Sequence, residues 1–339
     1  MAISHPGVVV PENPAPEYAP AGEHRQSPST SESALPDWAL PALGLLGIYA
    51  AVRIAVLVAD VLAAHVSYAG DLDGPLTGWD AQHYLQIAAH GYPAVSPTVN
   101  GHLTYSVAGF EPVFPLFVRL FAYVTDSYVA AALVVSIVGG AVGTLLVWRL
   151  ATALRGDVVG FNSAVLFVVF PGMAIPWGIF YSESVGLALV AGCLLLIMRE
   201  RWVWAGVIGA IATATNPLAL PLSLAAAAPA VRSLRRREAP GALVTVALVP
   251  VGFLAFAGWL GLRYHDALFW WHLQNQAWGA TVDFGKGLIL LLPHFWSGGY
   301  VGRAWLEWIG VVAVAGAVVA LWRARLPAFV SVYCVSVFD

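Results

Sequence analysis

Eight apolar runs, near 38–64, 127–150, 158–175, 184–198, 203–215, 217–231, 241–262 and 304–322, with another starting at Leu326, constrain this chain more than any other feature. A helix needs about 20 mostly apolar residues to cross the hydrocarbon, fewer when it is buried in a bundle. Lipid offers no partner for backbone N–H and C=O groups, so each run must satisfy its own as a helix. The expected fold class is therefore all-α, a polytopic transmembrane helical bundle. A composition 59% hydrophobic and 10% charged, with mean hydropathy +0.76, excludes an ordinary soluble domain. The net charge of -3 gives no reason to expect a nucleic-acid partner.

Residues 1–36 are rich in Pro, Ser, Glu and Ala and hold no apolar run of signal-peptide length, so they read as a disordered cytosolic tail before a single transmembrane domain at 37–339. Lys286 is the one lysine among 16 basic residues, a bias associated with GC-rich bacterial genomes. The pair 203–215 and 217–231 could be one long helix or a hairpin. Asn216-Pro217 interrupts it, because proline lacks the N–H and disfavours helix in the preceding residue. Only the hairpin puts Arg149, Arg155, Arg199, Arg201, Arg232, Arg235, Arg236, Arg237, Arg323 and Arg325 on one side, as the positive-inside rule expects. That orientation keeps the tail in the cytoplasm of a bacterial plasma membrane. It sends the long loop 65–126, the turn at Phe180-Tyr181-Ser182-Glu183, the Asn216-Pro217 break and the loop 263–303 to the extracytoplasmic face.

Those outer segments hold the candidate chemistry. In Gly78-Trp79-Asp80-Ala81-Gln82-His83-Tyr84, helical spacing sets Asp80 beside His83 and Tyr84, and Gln82, Gln86 and His90 form a polar stripe. The pattern predicts a short interfacial helix. Asp80 could cap it, or supply a base in reach of a hydroxyl. Further along, Pro112 and Pro115 in an aromatic run predict a re-entrant segment or short packed helices, and Arg119 could meet a lipid phosphate or snorkel to the headgroups. Glu183 opens the fourth run, where it is either functional or a partner of the helix dipole. In the last loop Trp271, Asn275 and Trp278 share a face, and Gln274 and Gln276 are close by. Trp and amide side chains suit sugars, but they also make an interfacial belt. Lys286, His294 and Arg303 are the cations available for a phosphate.

No Walker loop, dinucleotide fingerprint, zinc spacing or nucleophile elbow is present in its required context, so neither a cofactor nor a metal is called for. Cys193 and Cys334 fall inside apolar runs and read as small core residues.

Taken in order, Trp79-Asp80 with Tyr84, Ile87-Ala88 and Gly91-Tyr92, then Phe110 to Pro115, Tyr181-Ser182-Glu183-Ser184, and Gln276-Ala277-Trp278 after His265-Asp266 resemble the PIG-V-like family. This is the GPI mannosyltransferase II group and its bacterial relatives, of the GT-C class of membrane glycosyltransferases, and the resemblance covers residues 40 to 300. It implies a polyprenyl-phosphate-mannose donor and a lipid or glycan acceptor. It also implies Asp80 as catalytic base and Glu183 as a second acidic residue orienting acceptor or base. Trp79, His83, Tyr84, Tyr181, Gln276, Trp278 and Arg303 are then the candidate substrate contacts. An α-linkage made from a β-linked phosphate requires inversion, for which one carboxylate suffices. Two departures stand out. The family usually has an aromatic where Glu111 stands, and the chain stops at Asp339, too soon after Leu326 for the roughly 20 residues of a full span, as a truncated or degenerate member would.

Two other functions fit the same residues. A transporter or flippase would place its polar site near the midplane, often with inverted repeats, and Arg53 and Asp60 within the first run are the only intramembrane pair to suggest one. A non-catalytic partner of an envelope-glycan assembly complex is the other.

Overall fold

The computed structural model describes residues 36–67, 76–173, 178, 180–237, 241–280, 286–296 and 301–336. The tail expected at 1–36, apart from residue 36, lies outside them, as do parts of loop 263–303 and the Arg303 side chain. Helices dominate the described residues, and the only strands there are a two-residue pair, β1 (Thr98–Val99) and β2 (His102–Leu103). The protein is an all-α, integral membrane helical bundle, with five helices among the described residues long and apolar enough to cross a membrane.

The first long helix, α1 (Ala39–Ser67), is followed in the first connection by α2 (Ala81–His90) and α3 (Val113–Thr125). Next come α4 (Tyr128–Arg155), α5 (Asp157–Val169), α6 (Glu183–Met198) and α7 (Trp202–Thr213). They lead to α8 (Leu222–Arg235), the stacked pair α9 (Ala242–Leu248) and α10 (Val251–Tyr264), and α11 (Phe269–Gln276). Beyond these lie α12 (Lys286–Leu291), α13 (Val301–Ala324) and α14 (Ala328–Ser336).

Contacts fix the direction of each pass. Arg149 lies over the Trp38 ring at the start of α1, while Tyr49 Oη donates to Ile137 O at 3.0 Å, so α1 and α4 are antiparallel. A Cβ built on Gly139, Gly143 or Gly192 would meet Val185, Ala188 or Leu146 respectively, an advancing register that makes α4 and α6 parallel. These glycines let the two helices approach closely, as small residues do between membrane helices. Arg155 donates to Ala324 O, which brings the end of α13 to the end of α4. The arginines ending α4, α6 and α13 therefore share one end of the bundle.

The hairpin at Asn216-Pro217 is present. α7 stops at Thr213, Asn216 Oδ1 accepts from Leu218 N–H at 3.0 Å to cap a single 3₁₀ turn (Pro217–Ala219), and α8 returns. Thr213 Oγ1 donates to Val249 O at 2.7 Å, whereas Ser223 Oγ donates to Val246 O one turn lower, so the chain has reversed. α5 is shorter than the run 158–175 because Pro171 opens a 3₁₀ turn after Val169.

The short amphipathic helix expected in the first connection is present: α2 buries Ala81, Tyr84, Ile87 and Ala88 with Phe114 and Val118 of α3 and Ala131, Ala132 and Val135 of α4. Its stripe of Gln82, Gln86 and His90 remains exposed. The outer face of α3 is apolar instead, with Leu116, Leu120, Tyr123 and Val124 exposed, as a lipid-facing helix requires. Arg53 is buried and its charge reaches Asp60 on the same helix, the pair anticipated within the first run.

Candidate functional site

The end of the bundle opposite the arginines collects the polar segments. Val113 N–H donates to Ala214 O at 3.2 Å, tying the start of α3 to the end of α7. Asn216 Nδ2 donates to Ser182 Oγ at 3.5 Å, and Gln274 Nε2 donates to Gly109 O at 3.0 Å. Four stretches far apart in sequence thus meet: the connection around 76–112, the turn 180–183, the break at 214–217 and the helix α11.

The helices that lead to this end are short: the 16 residues of α6 rise about 24 Å and the 12 of α7 about 18 Å, each less than the roughly 30 Å of hydrocarbon that a full crossing needs. Ser184 lies level with Gly139, in the middle of α4 rather than at its start.

Asp80 stands at the N-cap of α2 with helical dihedrals (φ −73°, ψ −18°), and its side chain makes no capping bond. An N-cap carboxylate reaches the N2 or N3 amides from an extended backbone, so the helical conformation turns it away and leaves it free. Its backbone N–H donates to Tyr181 Oη at 3.4 Å. The strain of the turn is carried by Trp79, at φ 53° with its indole exposed. Burial raises the Asp80 carboxyl above its ordinary value, opposed by His83 one turn on, and burial lowers the His83 imidazole, opposed by Asp80.

Glu183 is the first residue of α6, half-buried, with Oε2 buried and no hydrogen-bond partner. It is close enough to Asp80 for their charges to oppose one another. A cavity of about 60 Å³ adjoins it, lined also by Asn216 and by Tyr333 of α14.

Tyr84 is buried between these groups. Its hydroxyl donates to Ser182 Oγ at 3.0 Å, and its ring meets Phe110 and Phe114 edge-on at 5.2 and 5.1 Å. It is a fixed support rather than an open contact. His83 faces the other way, with its ring 4.9 Å from Phe110 and 5.7 Å from Trp278, and its Nδ1 buried without a partner. Trp278 is held edge-on by Phe110 and Tyr105, and its Nε1 is also unpartnered. A wall results, with Phe110 buried, His83 and Trp278 half-buried and Tyr105 exposed at its edge, beside the free Asp80 carboxylate.

Asp80, Glu183, His83, Tyr84, Tyr181 and Trp278 therefore come together. Trp79 points outward, and Gln276 is occupied elsewhere, its Oε1 accepting from Leu103 N–H at 3.1 Å to clip the β1–β2 hairpin. Of the phosphate candidates, Lys286 is exposed and the Arg303 side chain lies outside the described residues.

Glu111 belongs to the site although its sequence position suggested only a departure. It is 5% exposed, with Oε1 unpartnered, and burial pushes its carboxyl up to about 8 against the pull of its own backbone N–H and the Trp270 indole. An acid inside the aromatic run Phe110–Leu116, next to a proline, was the available signal: a charge in an apolar stretch is costly and rarely accidental. Among the described residues no three His, Cys, Asp or Glu side chains lie close enough to hold a metal.

No protein-family model, curated protein or solved structure matches this chain.

Proposed function

We propose that the protein is a membrane glycosyltransferase that moves mannose from a polyprenyl-phosphate donor to a hydroxyl-bearing lipid or glycan acceptor at the extracytoplasmic face, with Asp80 as base. The observation that carries this reading is the Asp80 carboxylate, uncommitted to its helix, beside the wall of His83, Phe110 and Trp278. Aromatic faces pack on sugar C–H groups, and the rings of His83 and Trp278 stand beside Phe110 on this wall. In the step, the acceptor O–H gives its proton to Asp80 while its oxygen bonds to C1 of the sugar. The C1–O bond to phosphate breaks, and the polyprenyl phosphate leaves with the electron pair. A carboxylate of raised proton affinity is a better base than an exposed one. Glu183, whose charge opposes that of Asp80, orients the acceptor from the α6 side.

The test is transfer from radiolabelled polyprenyl-phosphate mannose by purified protein. Asp80→Asn should slow it by about 10² or more, and transfer at the wild-type rate removes Asp80 from the role. A polar site level with the middle of α4 also suits a lipid carrier. Transbilayer movement of the labelled lipid in proteoliposomes, insensitive to Asp80→Asn, is the result that favours that reading.

A further inference from the structure

An apolar groove of about 490 Å³ runs along the outside of the bundle between α3, α4 and α6, apart from the carboxylates. Phe121 of α3, Val142 of α4, and Val185, Ala188 and Gly192 of α6 line it, and Arg199 lies at its far end. From Val185 to Arg199 the floor rises about 21 Å along α6, longer than the roughly 15 Å that one acyl chain spans in its leaflet. The walls are hydrocarbon in character, and small residues make the depression: a Cβ on Gly192 would meet only Leu146 at 3.6 Å and Ile208 at 3.9 Å.

We propose that this groove holds an acyl chain of an anionic phospholipid from the arginine-end leaflet, with the headgroup phosphate on Arg199.

Charge sets the direction. Arg199 is exposed and, among the described residues, its guanidinium has no hydrogen-bond or ion-pair partner. It lies at the end of the bundle that also gathers Arg155 and Arg323, where an anionic headgroup is attracted. The opposite mouth begins at Val185, two residues past the Glu183 carboxylate, which repels a phosphate. A lipid entering tail-first from the arginine end satisfies both mouths. One whose phosphate lay beside Glu183 satisfies neither. The proposal is independent of the transferase reading.

The experiment is native mass spectrometry of the full chain purified in mild detergent, titrated with phosphatidylglycerol, phosphatidylcholine and a polyprenyl phosphate. The wild type should retain one phosphatidylglycerol. Arg199→Gln should weaken that affinity about fivefold, the effect of one interfacial cation, and leave phosphatidylcholine unchanged. Arg201→Gln, outside the groove, should change neither. Gly192→Leu and Val142→Trp, which fill the groove from its floor and its exposed wall, should abolish retention; two variants from different helices guard against one that fails to fold. Equal losses in Arg199→Gln and Arg201→Gln overturn the proposal, as does retention unaffected by filling the groove. Preferential binding of polyprenyl phosphate with no dependence on Arg199 overturns it in favour of the reverse orientation.

Discussion

The Tyr84 hydroxyl donates to Ser182 Oγ at 3.0 Å and so joins the helix of the first connection to the N-cap residue of α6. Ser182 in turn receives Asn216 Nδ2 from the α7–α8 break. One serine hydroxyl therefore fixes three segments around the carboxylates. A buried neutral hydrogen bond contributes about 1 kcal/mol, and an orphaned partner costs a similar amount or more. Tyr84→Phe and Ser182→Ala should each lower the melting temperature in detergent, and the double variant should lose less than the sum. Strict additivity means that the bond does not couple them.

Asp80 makes no cap bond, whereas Ser127, at the N-cap of α4, accepts from Ala130 N–H at 3.3 Å. Ser127→Ala should cost about 1 kcal/mol. Asp80→Ala should change stability by no more than about 0.5 kcal/mol. Thermal melts of the two variants decide it, and a larger loss at Asp80 restores its capping role.

Glu111 gives a dependence on pH with a definite sign. Its carboxyl ordinarily titrates at 4.5 and is held up to about 8 by burial, so between these values the folded protein keeps a proton that the unfolded chain has lost. Stability is then greatest below the unfolded value and falls as pH rises, by about 1.4 kcal/mol per pH unit, until the folded group ionises. Glu111→Gln should flatten that slope between pH 5 and pH 8. Melting curves across the range measure it, and an unchanged slope in the variant assigns the dependence elsewhere.

Gly109 allows the Trp278 wall to close. A Cβ there would come within 3.1 Å of Trp278 Nε1 and 3.2 Å of Gln274 Nε2. Gly109→Ala should push both side chains back and stretch the Gln274 bond to Gly109 O, costing about 1–3 kcal/mol. Tryptophan fluorescence should shift to the red as Trp278 gains water. An unshifted spectrum at wild-type stability contradicts the packing.

Much of the architecture was legible from local signals. Asn216-Pro217 marked a reversal because proline chemistry acts within two residues, and the arginines chose between the two threadings. The meeting of the Asp80, Glu183 and Trp278 segments at one end followed from that threading. Glu111 and Ser182 were not legible as site residues, since their importance comes from residues about 30 to 160 positions away, beyond any local pattern. The same holds for Gln276, whose amide looked available until the β1–β2 hairpin claimed it.

By itself the sequence determined that the chain forms helices in a membrane, where they reverse, and which end carries the arginines, because these follow from hydrophobicity, proline geometry and charge along the chain. Only the tertiary structure decided that α2 packs inward and α3 turns an apolar face outward, that Asp80 is free and Tyr84 is bound, and that the acidic site lies level with the middle of α4. Those outcomes depend on which side chains from distant helices compete for the same space and the same hydrogen bonds, and that competition is settled only by packing.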